Sequence, residues 1–341
     1  MRADKETIRR RALHLVSESG RGVARRLGAE FGLSRQVANG HLQALVSEGL
    51  LEGTGSTRSR TYLLAASRQA IRSFILDGLS EDSVWREVFA PVVADFAENV
   101  RDIWRYGITE MVNNAIDHSG SAQVHVGVRR TALHTEAWVA DDGEGIFLKI
   151  QRALGLYDPR EAILELAKGK FTTDQAHHSG EGIFFTSKVF DAFDIQSGRL
   201  HFMHDHEPLD RLLERPAEAP GTLVLLRLAN DSARTTRSVF DEYAAPDAYT
   251  FDRTVVPLRL AQYEGEKLVS RSQAKRIYRR FERFRHVVLD FDGVAEIGQA
   301  FADELFRVFP TAHPSVELEP VNVSADVARM ISRVKAAPIH M

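Results

Sequence analysis

Residues 110–120 read EMVNNAIDHSG, a run with helical apolar spacing (Met111, Val112, Ala115, Ile116) that contains two adjacent asparagines. Asparagine is a poor helix former, because its amide competes for backbone hydrogen bonds. Glu110, Asn114 and His118 stand at i, i+4 and i+8, on one face of the helix that this spacing predicts. Two strand-like stretches follow, AQVHVGVRR (122–130) and TEAWVADDGEGI (135–146). The second ends in an acidic, glycine-rich turn, Asp141-Asp142-Gly143-Glu144-Gly145. Further on, within KGKFTTDQAHHSGEGIFFTSKVFDAFDI (168–195), a Gly180-Glu181-Gly182 turn opens another helix, and GTLVLLRLA (221–229) reads as a late strand.

In order and spacing these motifs resemble the GHKL-type ATP-binding superfamily of gyrase, heat-shock chaperone, histidine kinase and mismatch-repair ATPases. Its Glu-x-x-x-Asn is matched by Glu110 and Asn114, its Asp-x-Gly-x-Gly by Asp141, Gly143 and Gly145, and its Gly-x-Gly by Gly180 and Gly182. The wording EMVNNAIDH and SGEGIFFTSKVFD is most similar to anti-sigma-factor kinases. The resemblance implies a central α/β-sandwich (Bergerat-type) domain over 100–232, with ATP and Mg2+ as cofactors. Magnesium prefers oxygen ligands, and the amide oxygen of Asn114 is the metal ligand that the resemblance implies. An ion faced by that oxygen explains an asparagine within a helix, at a propensity loss below about 1 kcal/mol. Glu110 is then the catalytic residue, accepting a proton from a water or orienting it. By the same resemblance Asp141 would accept from the adenine amine, with Thr222 nearby, and Gly143 and Gly145 would let the backbone approach the base. Gly180 and Gly182 offer N–H groups to phosphate oxygens at a helix start. Between the second and third motifs, 147–178 corresponds to the family's mobile segment over the phosphates. There Lys168 and Lys170 are either phosphate contacts or solvated side chains.

Residues 1–66 carry eleven basic and six acidic side chains, against a net charge of −3 for the whole chain. Ile8, Ala12, Leu15 and Val16 predict a first helix to about Ser19, and Val23, Leu27 and Phe31 a second. Ser34 is placed to cap a third, with Val37, Leu42, Leu45 and Val46 as its apolar face. LLEGTGSTRSRTYLL (50–64) then reads strand, turn, strand, with Arg58 and Arg60 near the tip. Three helices and a hairpin make a winged helix-turn-helix, and ARRLGAEFGLSRQVANGHLQALVSEGLL (24–51) resembles that family's bacterial regulators. Such a third helix lies in the major groove of double-stranded DNA. Its N-terminal residues here are Ser34, Arg35, Gln36 and Asn39, and Arg and Gln pair bidentately with guanine and adenine. Arg58 and Arg60 would reach phosphates or the minor groove. The alternative is a protein-docking module of the same shape.

Residues 67–99 carry helical patterns with an apolar stripe, Trp85, Val88, Phe89, Val92 and Val93, and are expected to form a helical linker. From 250 to 341 the pattern alternates strand and helix, as in RHVVLDFDGVAEIGQAFADELFRVFP (285–310) and VELEPVNVSADVARMISRV (316–334), which predicts a small α/β domain. The run VVLDFDGVAEIGQAFADEL resembles STAS-like antagonist domains. The phosphorylatable members of that group carry a serine before this helix, whereas the loop here is Glu296-Ile297-Gly298-Gln299-Ala300. A docking or sensing role toward a protein partner is the expectation.

The fold class is therefore α+β and multidomain. With no cysteine, thiol catalysis, disulfides and Cys-ligated metals are excluded. No apolar run is long enough to span a membrane, and a cytoplasmic homodimer is expected, the dimer from the family resemblances. The functional expectation is an ATP-binding, slowly hydrolysing DNA-binding regulator. Two alternatives stay open: a serine/threonine protein kinase of the anti-sigma type, and an ATP-driven clamp or effector of a stress or defence system.

Overall fold

The computed structural model describes residues 4–56, 59–170, 181–205, 210–244, 251–262 and 266–336. The N-terminal unit consists of helices α1 (Lys5–Glu18), α2 (Val23–Phe31) and α3 (Arg35–Ser47) and an antiparallel hairpin of β1 (Leu51–Thr54) and β2 (Thr61–Leu64). Asp4 caps α1 by accepting from the Thr7 amide at 2.8 Å, and Ser34 caps α3 by accepting from the Val37 amide at 3.3 Å. Ile8, Ala12, Leu15, Leu27, Leu42, Leu45 and Tyr62 form its core. Val37, expected on the buried face of α3, is 48 % exposed, and Ala38 occupies the buried position. Ala38, Leu42 and Leu45 recur at i, i+4 and i+7, the spacing of one helix face.

Among the described residues the central strands form one antiparallel sheet in the order β3-β4-β5-β7-β6. They are β3 (Arg68–Ile75), β4 (Gln123–Arg130), β5 (His134–Asp141), β6 (Ala192–Asp205) and β7 (Arg211–Ala229). The expected helical linker over 67–99 is thus corrected. Its first part is the edge strand β3, paired along its length with β4. Ala70 and Phe74 pack against the core, while Ile71 and Ile75 face outward, a period of two that belongs to a strand. Only its second part is helical: α4 (Glu81–Val84), a π-helical turn (Trp85–Phe89) and α5 (Ala90–Val93). The expected stripe from Trp85 to Val93 is buried against the sheet.

The long helix α6 (Glu98–His118) buries Val100, Ile103, Trp104, Ile108, Met111, Val112 and Ala115. It is accompanied by α7 (Ile146–Leu154), α8 (Glu161–Lys168), α9 (Gly182–Val189) and α10 (Thr236–Tyr243). Beyond these, β8 (Arg253–Pro257), β9 (His286–Asp290) and β10 (Glu317–Val321) form a parallel sheet in the order β10-β9-β8. Around it lie α11 (Arg271–Tyr278), α12 (Gln299–Asp303), α13 (Phe309–Ala312) and α14 (Ala325–Ala336), with a π-helical turn (Glu304–Val308) between α12 and α13. Val287, Leu289, Phe301 and Leu305 are fully buried here. This α/β unit has no core of its own: its buried side chains are continuous with those under the central sheet, from Leu76 to Val334. The N-terminal core is separate, and Ala132 and Leu133, in the β4–β5 turn, pack against it. The Arg129 guanidinium donates to the Leu64 carbonyl at 2.6 Å beside that contact.

Candidate functional site

The apolar positions of α6 fix its rotation, which leaves Asn113 and Asn114 half-buried along its flank. The Asn114 amide nitrogen is buried and has no hydrogen-bond partner among the described residues. A buried polar atom in that state costs about 1–3 kcal/mol, so the position is chosen for something other than helix stability. One turn before it, Glu110 reaches the first residue of α9. A Cβ on Gly182 would overlap Oε2 of Glu110 as the carboxylate is placed, so the Glu110 side chain lies directly against the start of α9. Tyr106, a further turn back, is half-buried against Phe240. Burial, then the Glu110 and Glu181 carboxylates, push its hydroxyl well above the usual tyrosine range.

At the end of β5, Asp141 stands opposite Thr222 of β7. The Asp141 side chain is 8 % exposed and accepts from the Gly143 amide at 2.9 Å. Burial pushes its carboxyl up, against the opposing pull of the Gly143 and Thr222 amides. Thr222 Oγ1 accepts from the Ile146 amide at 3.0 Å, the first N–H of α7. Gly145 has φ +90°, and a Cβ there would lie 2.5 Å from Ser197 Oγ. Ser197 donates to the Gly221 carbonyl at 2.8 Å, and the Gly221 amide donates to the Gly143 carbonyl at 3.0 Å. From the other side, the Glu144 amide donates to the Ser119 carbonyl at 3.1 Å and Lys149 Nζ to the His118 carbonyl at 2.6 Å. The acidic turn is therefore tied both to the end of α6 and to the middle of β7.

The structure thus brings Glu110 to Gly182, and Asp141, Gly143 and Gly145 to Thr222, the first pair along α6 and the second group against its C-terminal end. Gly180 and Arg58 lie outside the described residues. Lys168 and Lys170 do not bear out the expected phosphate contact. Lys168 is fully buried, 2.7 Å from Glu165 Oε1, and Lys170 donates to the Arg283 carbonyl at 2.9 Å and pairs with Asp252 at 3.3 Å. Both amines point at the C-terminal α/β unit, because the acceptors that compensate their burial are there. Ser197 was not expected at the site. It is brought in by the β6–β7 register, which sets it opposite Thr222.

In the N-terminal unit, Arg35 and Gln36 are exposed on the first turn of α3 and Asn39 is half-buried. The Ser34 hydroxyl is occupied as a cap. Arg60 lies over the Tyr62 ring, 5.5 Å from its centre, rather than reaching out from the hairpin. Part of the local basic excess is neutralised within the unit, Arg9 by Glu48, Arg11 by Glu30 and Arg26 by Glu18.

Among the described residues, no three His, Cys, Asp or Glu side chains gather for a metal ion. None of the described helices is long and apolar enough to cross a membrane.

Comparison with known families bears on the C-terminal unit. Residues 273–328 match the family described as "STAS-like domain of unknown function (DUF4325)". The match runs from α11 into α14 and includes the loop Glu296–Ala300, which has no serine or threonine. No curated protein matches the chain.

Proposed function

We propose that this chain is a magnesium–ATP-binding regulator whose N-terminal unit binds double-stranded DNA as a winged helix, nucleotide occupancy setting the disposition of that unit. The observation that carries the reading is the contact of Glu110 with Gly182, one turn from the partnerless amide of Asn114, on the helix whose end holds the Asp141 turn. A Bergerat-type fold accounts for the antiparallel sheet backed by α6 and α9. The same residues fit the group. The Asn114 amide would ligate Mg2+ through its oxygen, and Gly182 would offer its N–H to a phosphate. Asp141 would accept from the adenine amine, beside Thr222 and over Gly143 and Gly145. When bound, magnesium neutralises polyphosphate charge. Glu110 holds or orients a water at the opposite end from Asp141, and its contact with the first turn of α9 keeps it there.

β5 connects this site to the N-terminal unit. It begins next to Leu133, which packs on the α1–α3 core, and ends at Asp141, about 24 Å away at 3.4 Å per residue. In a two-fold dimer, movement along this strand changes the separation of the two α3 helices, to which DNA half-site spacing is sensitive. The STAS-like domain would dock a protein partner. Calorimetric titration of ATP with and without Mg2+ tests the site. The reading requires binding by the wild type and loss of its magnesium dependence in Asn114→Ala. Equal binding by both proteins would remove Asn114 as a ligand.

A further inference from the structure

We infer that the STAS-like domain is coupled to the nucleotide site through a buried ionic latch at Lys168–Lys170 and an aromatic contact on α9, so that filling one changes the other. The inference rests on the nucleotide reading above. Glu165, Lys168 and Arg280 meet with side chains 2 %, 0 % and 8 % exposed. Lys168 Nζ sits 2.7 Å from Glu165 Oε1 and donates to the carbonyls of Arg276 and Arg279, at 3.3 and 3.0 Å, at the end of α11. Arg280 donates to Glu165 Oε2 at 3.0 Å, to the Gly169 carbonyl at 3.0 Å and to the Lys170 carbonyl. Thr254 Oγ1, on β8, donates to the Lys168 carbonyl at 2.7 Å. Three successive carbonyls, 168 to 170, are therefore held by side chains of the C-terminal unit, and both lysine amines are held by the same unit.

The second contact adjoins the first: a Cβ on Gly169 would lie 2.7 Å from the Phe251 ring and 3.0 Å from Phe184. Phe184 and Phe185, in the first turn of α9, pack on Phe251 with ring centres 4.7 and 4.9 Å apart, and Phe251 packs on Phe284 at 5.5 Å. Residues 251–254 thus touch both the end of α8 and the start of α9. Gly182 opens α9 and lies against Glu110, so a ligand that shifts either residue shifts the helix that Phe251 holds. Buried ion pairs need good geometry to repay their desolvation, and close-packed interiors transmit strain instead of absorbing it. Coupling between two sites is reciprocal. A protein bound to the STAS-like domain would alter nucleotide affinity by the same factor as nucleotide alters its own.

Hydrogen exchange of the full chain, with and without Mg2+ and a non-hydrolysable ATP analogue, tests this. In the wild type, amides 182–186 and amides 275–286 should both slow, the latter about fivefold or more. Glu165→Gln/Lys168→Met removes one charge of each sign, and Thr254→Val frees the Lys168 carbonyl. In each, slowing at 182–186 should persist while slowing at 275–286 is lost. The wild-type arm decides the proposal even if a variant fails to fold. Slowing at 182–186 with none at 275–286 overturns the coupling and leaves the nucleotide reading intact. Slowing at both that survives in folded variants overturns the latch as its route. No slowing at either place overturns the nucleotide reading, and the coupling with it.

Discussion

Replacing Glu165 by alanine should destabilise the chain more than any surface charge change. The carboxylate is 2 % exposed and faces two buried cations, Lys168 and Arg280. Removing one partner of a buried pair costs about 3–5 kcal/mol, because the other charge stays buried without compensation. Here the loss falls at the low end. Lys168 keeps the carbonyls of Arg276 and Arg279, and Arg280 keeps those of Gly169 and Lys170. About 3 kcal/mol is expected. The central and C-terminal units share one core, so they should melt together, with Tm lowered by about 6–12 °C at roughly 2–4 °C per kcal/mol. Thermal unfolding of the full chain at pH 7, followed by circular dichroism, measures this. A loss below about 1 kcal/mol, the range of exposed pairs, would show that water reaches these charges and would refute the latch geometry.

Three further outcomes follow from particular residues. Glu110→Ala should still bind Mg-ATP but hydrolyse it about 100-fold more slowly or worse; unchanged turnover in a phosphate-release assay would remove Glu110 from its catalytic role. Arg35→Glu should abolish DNA binding and leave nucleotide affinity unaltered, and a wild-type DNA isotherm would refute the assignment of α3. Burial lowers the Lys168 pKa from 10.5 to about 8. Between those values the unfolded chain binds the extra proton, so stability should rise with pH from about 8 to 10.5 and show no slope from this group below 8. Chemical denaturation across that range should show the rise in the wild type and not in Lys168→Met; an equal rise in both assigns it elsewhere.

The features legible in the sequence were those whose partners are local. The α6 face depends on three- and four-residue spacings, and the Asp141 turn on five consecutive residues. The α3 start depends on one capping serine, although a one-residue error exchanged Val37 for Ala38. The features missed depend on distant partners. β3 contains two arginines and a glutamine among its apolar residues, and its alternation becomes meaningful only once β4, some 55 residues on, pairs with it. Lys168 and Lys170 flank a glycine in what reads as a solvated turn. Apart from Glu165, three residues before Lys168, their acceptors lie at Asp252, Arg276, Arg279 and Arg283, more than 80 residues away. Ser197 joins the site through a strand register that no local pattern encodes.

The measurement that bears most directly on the central claim is DNA affinity at one fixed salt concentration, with and without Mg-ATP, in the wild type and in Asn114→Ala. Salt is held constant because phosphate contacts make affinity steeply salt-dependent. Mg-ATP should shift the wild-type affinity and leave that of Asn114→Ala unmoved. Tight DNA binding that is indifferent to nucleotide in both proteins, or no DNA binding at all, would contradict that claim.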